Sequence, residues 1–422
     1  MNDVEHGTLT CGIEYGIVPL PTRHVVAMQF RVLSGVANEP DGKAGLARML
    51  EQTIDMGTAH RDARELSDAF DAIGASSSSY TGRETTTFGC TTLPEHFDEA
   101  INLHAEMLRE PTFPEDKLKV NLDLALQELS ALEDDPQALT DRLISKQAYG
   151  SVLGRHPLGT RESIASMSRD DLVNQWRTTF QSGRMIVSVA GAIEPQHAKD
   201  KLEQAFAGFG DAAKAGREPH PVTFSPGINH QEKETEQQQI ALCWPGVDAT
   251  HELFPAQQLT LGILSGGMSG RLFTEVREKL ALCYWVGAWQ ETPRGSGMIF
   301  MGASTTPARC HETYDALLRE VDRLAHDLTE EELDRAVTGV LAQRETRGES
   351  TRAKCSEIAS DVFFYGRPVP TEEKNARIKA VGLEQIAHYL ANVPRDELCV
   401  VTLGPRAMNV AGVQAESGPA SR

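Results

Sequence analysis

Between Gly45 and Thr58 the chain reads GLARMLEQTIDMGT. Leu46, Met49, Leu50 and Ile54 recur there at helical spacing, which predicts an amphipathic helix with Arg48, Glu51, Gln52 and Asp55 on its polar face. A different period governs HVVAMQFRVLSG, where Val26, Met28, Phe30 and Val32 alternate onto one face of a strand, and TTTFGCTTL from Thr85 is a second β-rich run. ARELSDAFDAIG and EHFDEAINLHAEMLRE return to helical spacing. Further along, QIALCW and GMIFMGAST are strand candidates, while PAQQLTLGIL, HETYDALLREVDRL and the run after Thr329 are helix candidates. Sheets backed by long helices on one face predict an α+β fold.

The pattern also repeats. FPEDKL, ending at Leu118, matches LTEEEL, ending at Leu333, 215 residues later, and each opens a helix with a capping residue or Pro followed by acids. The step Tyr149-Gly150 recurs as Tyr365-Gly366 after 216 residues, and the stretch from Ile164 to Leu172 recurs from Ile378 to Ile386 after 214. Both of the last pair lead into β-rich runs, MIVSVAGAI from Met185 and LCVVTLGP from Leu398. A near-constant offset predicts two similar tandem domains, 1–210 and 238–410, each a mixed sheet backed by helices. Residues 211–237, rich in Gly, Pro and charge, read as an exposed linker, and 411–422 as a small, polar, flexible tail.

At 422 residues the chain is too long for one ordinary core. Its 60 acidic against 41 basic residues give a net charge of −19, which disfavours nucleic acid or an anionic membrane as a partner. No segment is apolar enough to span a bilayer, and MNDVEHGTLTCGIEYG lacks the basic start and apolar run of a secretory leader. The seven cysteines are scattered, with no C-x-x-C pair, which fits reduced thiols in a cytoplasm.

With that frame, the chain resembles the pitrilysin/insulinase-type peptidases, whose inverted zinc motif is H-x-x-E-H. The resemblance rests on GLARMLEQTIDMGT, on HPLGTRESI from His156 and on SGRLFTEVREKLALCYWV from Ser269, and it covers nearly the whole chain. It implies two similar halves per chain, forming half of a clamshell around a peptide chamber. In the motif two histidines four residues apart point at one zinc, and the glutamate between them activates the bound water. Here those histidine positions hold Arg48 and Gln52. Glu51 stays at the general-base position, and Glu128, 76 residues after Gln52, at the third-ligand position.

A guanidinium has no lone pair to give and stays charged, so Arg48 repels a divalent cation. Gln52 is a poor zinc donor. No zinc site is therefore expected, and Glu51 is expected to be a remnant base without a metal-bound water to work on. None of the thirteen histidines forms an H-x-H, H-E-x-x-H or H-x-x-E-H motif, and His60 follows the Gly57-Thr58 turn off the helix. The charges suggest that Arg48 lies between Glu51 and Glu128 and neutralises both.

The resemblance further implies an Arg and a Tyr, seven residues apart in the second half, that reach a substrate near the scissile bond. VREKLALCY supplies Arg277 and Tyr284, which two helical turns would put on one face if the helix runs that far. Gly266-Gly267 reads as a bend ahead of that helix, since no Lys-Ser or Lys-Thr follows to complete a phosphate loop. Arg155-His156-Pro157 reads as loop packing, and Trp244, Trp285 and Trp289 as core or chamber wall.

The expected function is a non-catalytic subunit, related to the mitochondrial processing peptidases. It would pair with an active subunit that carries H-x-x-E-H and the only zinc, and lend Arg277 and Tyr284 to a peptide substrate. A homodimer of the isolated chain is the competing assembly. Two other readings stand beside this one: a structural or peptide-binding homologue with no protease role, and a zinc metalloendopeptidase in its own right.

Overall fold

The computed structural model describes residues 4–210, 218–394, 397–408 and 415–416. The chain divides into two compact units. The first comprises Met1–Leu129, Arg155–Glu218 and Glu345–Val369. Its sheet contains β1 (Glu5–Thr8), β2 (Glu14–Pro19), β3 (Val26–Val32), β4 (Ser76–Thr81), β5 (Thr86–Thr92) and β6 (Met185–Gly191), in the order β1-β2-β6-β3-β5-β4. Only β2 and β6 run parallel; the other neighbours are antiparallel.

The second unit comprises Ser130–Gly154, Pro219–Arg344 and Pro370–Arg422. Here β7 (Gly227–Glu232), β8 (Gln238–Gly246), β9 (Cys283–Glu291), β10 (Gly297–Thr305), β11 (Cys399–Gly404) and β12 (Ala415–Glu416) follow the order β12-β7-β11-β8-β10-β9. From β2 onward the two sheets match strand for strand in order and sense: β7 pairs parallel with β11 as β2 does with β6, and the remaining pairs are antiparallel. The α+β class and the internal repeat are thus seen directly. The repeated Tyr-Gly step breaks helical geometry in both copies: Gly150 interrupts Pro136–Leu153, and Gly366 ends Thr351–Tyr365. Gly150 and Gly366 take φ of 75° and 69°, a left-handed conformation that glycine adopts without a Cβ clash.

Each unit has its own core. On one face of the first sheet Val26, Met28, Phe30 and Val32 are fully buried, as their alternation predicts, and they pack with Phe97, Ile101, Phe180 and Phe206. In the second, Leu242, Leu259, Val276 and Ile386 are fully buried. Burying a side chain of this size contributes about 1.5–3 kcal/mol relative to leaving it in water.

What covers the other face of each sheet is a helix from the opposite repeat. Thr351–Tyr365 lies on β2, β3 and β6, where Cys355 and Ile358 pack with Val18, Ala27 and Ala190, and Val362 and Phe363 pack with Leu33 and Ile186. Pro136–Leu153 lies on β8 and β11 in the second unit. The packed units therefore differ from the continuous segments 1–210 and 238–410: residues 130–154 and 345–369 change places. Periodicity along the chain states that a face must be covered, and carries no signal for which helix covers it.

The expected linker, 211–237, contains β7 in its second part; residues 211–217 lie outside the described residues, as does most of the expected tail, 411–422. A six-residue strand with only Ile228 buried has too weak an alternation to announce itself among charged neighbours. Among the described residues no helix is long and apolar enough to cross a membrane.

Candidate functional site

The helix Leu46–Thr53 begins at Gly45, which takes φ of 91°. The Gly45 and Ala47 N–H groups both donate to Glu39 Oε1 at 3.0 Å, so a buried carboxyl caps the helix start. Burial pushes Glu39 up to about 8, against the two N–H donors and the Arg155 charge, which lower it. Arg155 ties the same loop down by donating to the Glu39 carbonyl at 2.5 Å and pairing with Asp41 at 2.6 Å, so this segment is loop packing, as expected. Leu46, Met49, Leu50 and Ile54 are buried, matching the predicted apolar face.

On the polar face the outcome is divided. Glu51 is buried, only 3% exposed, and its carboxylate is held by neutral donors: Ser79 Oγ at 2.5 Å, Gln52 Nε2 at 3.0 Å and Thr81 Oγ1 at 3.1 Å. Arg48 Nη2 pairs instead with Glu128 Oε2 at 2.7 Å. The expectation that Arg48 neutralises both glutamates is thus corrected: it meets Glu128 alone. Glu51 turns toward the edge strand β4, where residues two apart share a face and Ser79 and Thr81 both reach it. Those two hydroxyls were missed from sequence. Their signal was the i, i+2 placement in SSSSYT, which nothing links to Glu51 until the sheet edge meets the helix.

Arg48, Gln52 and Glu128 line a cleft of about 40 Å³ with Asn121, Leu124 and Leu158, enough for one or two waters. His60 lies beyond Gly57, off the helix, and pairs with Glu110 at 2.9 Å. Among the described residues no group of three or more His, Cys, Asp or Glu side chains is arranged to hold a metal ion.

In the second unit Arg277 and Tyr284 come together, but not by helical spacing. The segment Leu272–Lys279 is π-helical, and Leu280 N–H donates to the Glu275 carbonyl, five residues back, at 3.1 Å. Ala281 then takes φ of +49°, a left-handed conformation rare for a residue with a Cβ, and the chain turns into β9, where Tyr284 is 76% exposed. The helix therefore does not carry both residues on one face; the reversal returns Tyr284 to Arg277. The guanidinium lies over two rings, 4.9 Å from the Phe273 centroid and 5.6 Å from that of Tyr284. Among the described residues it has no carboxylate partner, and the Tyr284 hydroxyl has no hydrogen bond. Phe273 is the third residue that sequence reasoning missed.

The rest of the segment is anchored. Gly266 ends the helix Phe254–Ser265, and Gly267, with φ of 119°, makes the expected bend. Arg271 then binds Glu332 through Nε at 2.7 Å and Nη2 at 2.8 Å, and Asp327 through Nη1 at 2.6 Å. That guanidinium holds Glu332 down at about 2. Trp289 stacks on Phe300 at 5.6 Å and neighbours Trp285 at 6.3 Å, while Trp244 is buried in the core.

Comparison with known proteins bears on both halves. Residues 18–161 match the family description "Insulinase (Peptidase family M16)", and residues 166–340 match "Peptidase M16 inactive domain". A Bacillus subtilis (strain 168) protein named "Uncharacterized zinc protease YmxG" is 28% identical over 400 residues, covering 94% of this chain and 97% of its own. Two solved structures share the fold. A protease from Helicobacter pylori superposes with a TM-score of 0.90 at 18% identity, covering 96% of this chain and all of its own. A peptidase M16 inactive domain from Pseudomonas fluorescens gives 0.88 at 20% identity, covering 96% and 99%.

Proposed function

This chain belongs to peptidase family M16, the insulinase-type peptidases, and from that premise we propose that it is a non-catalytic subunit that completes the active site of a separate zinc-bearing chain. The observation that carries the reading is the ion pair between Arg48 and Glu128. Two of the positions where the family's motif needs metal ligands are joined to each other, one of them by a group that cannot ligate. The residues present do not fit zinc, so no step of catalysis is assigned to Glu51 in this chain. The name zinc protease belongs to the Bacillus subtilis relative; the donor set here argues against carrying it over.

The contribution to a partner rests on Arg277 and Tyr284. The guanidinium, positioned by two rings and without a carboxylate among the described residues, is available to a peptide carbonyl or carboxylate. The exposed phenol can donate to the oxyanion of a tetrahedral intermediate. The partner in this reading is an M16 chain with an intact H-x-x-E-H motif, and the substrate is a peptide. A cytoplasmic location belongs to the same proposal, supported by seven cysteines of which none is in a disulfide.

The test is zinc content and peptidase activity of the chain alone and mixed with an M16 chain that keeps the motif. The expected result is no zinc and no cleavage alone, and activity in the mixture that falls about a hundredfold with Tyr284→Phe or Arg277→Ala. Stoichiometric zinc and cleavage by the chain alone would overturn the proposal.

A further inference from the structure

On the side of the Leu46–Thr53 helix that carries Glu51, the first unit holds a cavity of about 520 Å³, within the range of small-molecule sites. Its apolar walls include Leu66, Phe70, Phe88 and Met107. Its ionisable lining is one-sided. Glu51, Asp55 and Asp71 face it, and no Lys or Arg is among the described residues that line it. Neither Asp55 nor Asp71 has an ion-pair partner among the described residues. Although Asp55 sits at the exposed rim, partial desolvation of its carboxyl by the cavity wall and the neighbouring charge of Glu51 both push it upward.

A second observation is independent of the acids. His104, 2% exposed, also lines the cavity. Its Nδ1 lies 2.8 Å from the Ala100 carbonyl, which can only accept, so Nδ1 carries the proton and Nε2 presents a lone pair. The ring is fixed by stacking on Phe30 at 5.0 Å and by an edge contact with Phe70 at 5.0 Å, and burial holds it neutral, with its pKa down at about 4. Among the described residues Nε2 has no hydrogen-bond partner. An acceptor with no donor and two carboxylates with no cation line one cavity, a combination that suits a ligand bringing both.

We propose that this cavity binds an organic cation on an apolar stem, an ammonium or guanidinium group whose N–H donors meet Asp55, Asp71 and His104 while the stem packs on Phe70 and Phe88. The site shares no lining residue with the Arg48–Glu128 cleft and does not rest on the subunit reading, because it is tested on the chain alone. The cation can come from a free amine or from a peptide side chain.

Two arms separate those sources. In the first, phenethylamine and its neutral counterpart phenethyl alcohol are titrated into the purified full-length chain, read by calorimetry and by the imidazole nitrogen resonances of His104. In the second, a short peptide with one arginine is compared with the same peptide carrying citrulline. The expected result is that a cationic probe shifts His104 Nε2 and binds about tenfold more tightly than its neutral partner, and that D55N and D71N, both at the exposed rim, each remove about tenfold. Binding of the arginine peptide without the free amine identifies a peptide side chain as the occupant; the reverse identifies a small amine. Equal affinity for charged and neutral probes, indifference to D55N and D71N, or a silent His104 overturns the proposal.

Discussion

Arg48 and Glu128, 80 residues apart in the chain, meet at 2.7 Å across a cleft of about 40 Å³. In the proposed reading, an arginine at a metal-ligand position has closed on the carboxylate that would have been another ligand. If that substitution is what abolishes the site, reversing it should restore one. The double variant Arg48→His/Gln52→His recreates H-x-x-E-H with Glu128 still in place, and it should take up zinc near one equivalent, read by elemental analysis after dialysis. A variant that stays metal-free would show that the loss lies deeper than these two side chains.

The pair itself should matter little to stability. Its side chains are 29% and 48% exposed, and pairs of that kind contribute roughly 0–1 kcal/mol. Arg48→Ala should therefore shift the unfolding midpoint in urea only slightly.

Glu51 is the opposite case. Its carboxylate is buried and relies on Ser79, Thr81 and Gln52 for hydrogen bonds. Removing one donor leaves a buried charge less satisfied, so Ser79→Ala should cost about 1–3 kcal/mol, more than Arg48→Ala despite the smaller change in volume. Denaturant unfolding of the two variants side by side gives the comparison.

Glu39 should leave a signature in pH. Its folded-state value, about 8, lies above the ordinary 4.5, so the folded chain holds a proton that the unfolded chain has released. The associated stability is fully present below pH 4.5 and is lost as pH rises through 8. Glu39→Gln, which keeps an acceptor for the Gly45 and Ala47 N–H groups, should flatten that part of the stability curve. Thermal unfolding across this window would reveal an unchanged slope if Glu39 is not its source.

The covering of the first sheet by Thr351–Tyr365 is testable at one glycine. A Cβ on Gly16 would lie 2.5 Å from Ile358 Cγ2, a branched methyl with no room to rotate away. Gly16→Ala should destabilise the chain by about 1–3 kcal/mol, and Ile358→Ala should recover part of that loss in the double variant. Additive effects of the two substitutions would argue against the contact.

Tyr284→Phe and Arg277→Ala should fold as the parent does, within about 0.5 kcal/mol, since both residues are exposed and neither makes a hydrogen bond or ion pair among the described residues. Loss of activity in a mixture with a zinc-bearing chain would then be a loss of chemistry and not of structure.

Much of this molecule was readable along the chain. The helix with Leu46, Met49, Leu50 and Ile54 inward, the strand with Val26, Met28, Phe30 and Val32 inward, and the repeat marked by Tyr149-Gly150 and Tyr365-Gly366 are local patterns, and local sterics and burial produce them wherever they occur. The chemical statement that Arg48 cannot bind a metal was equally complete in the sequence, because it follows from the side chain alone.

Tertiary structure decided which groups meet. Arg48 faces Glu128 and leaves Glu51 to two hydroxyls on an edge strand. Tyr284 reaches Arg277 through a π-helical turn and a left-handed alanine, where helical spacing alone suggested a continuous helix. The helices 136–153 and 351–365 cover each other's expected sheets. Each of these depends on contacts between residues distant in sequence, where several partners satisfy the same period and the packed geometry selects one. Residue type determined what each group could do, and the fold determined to whom.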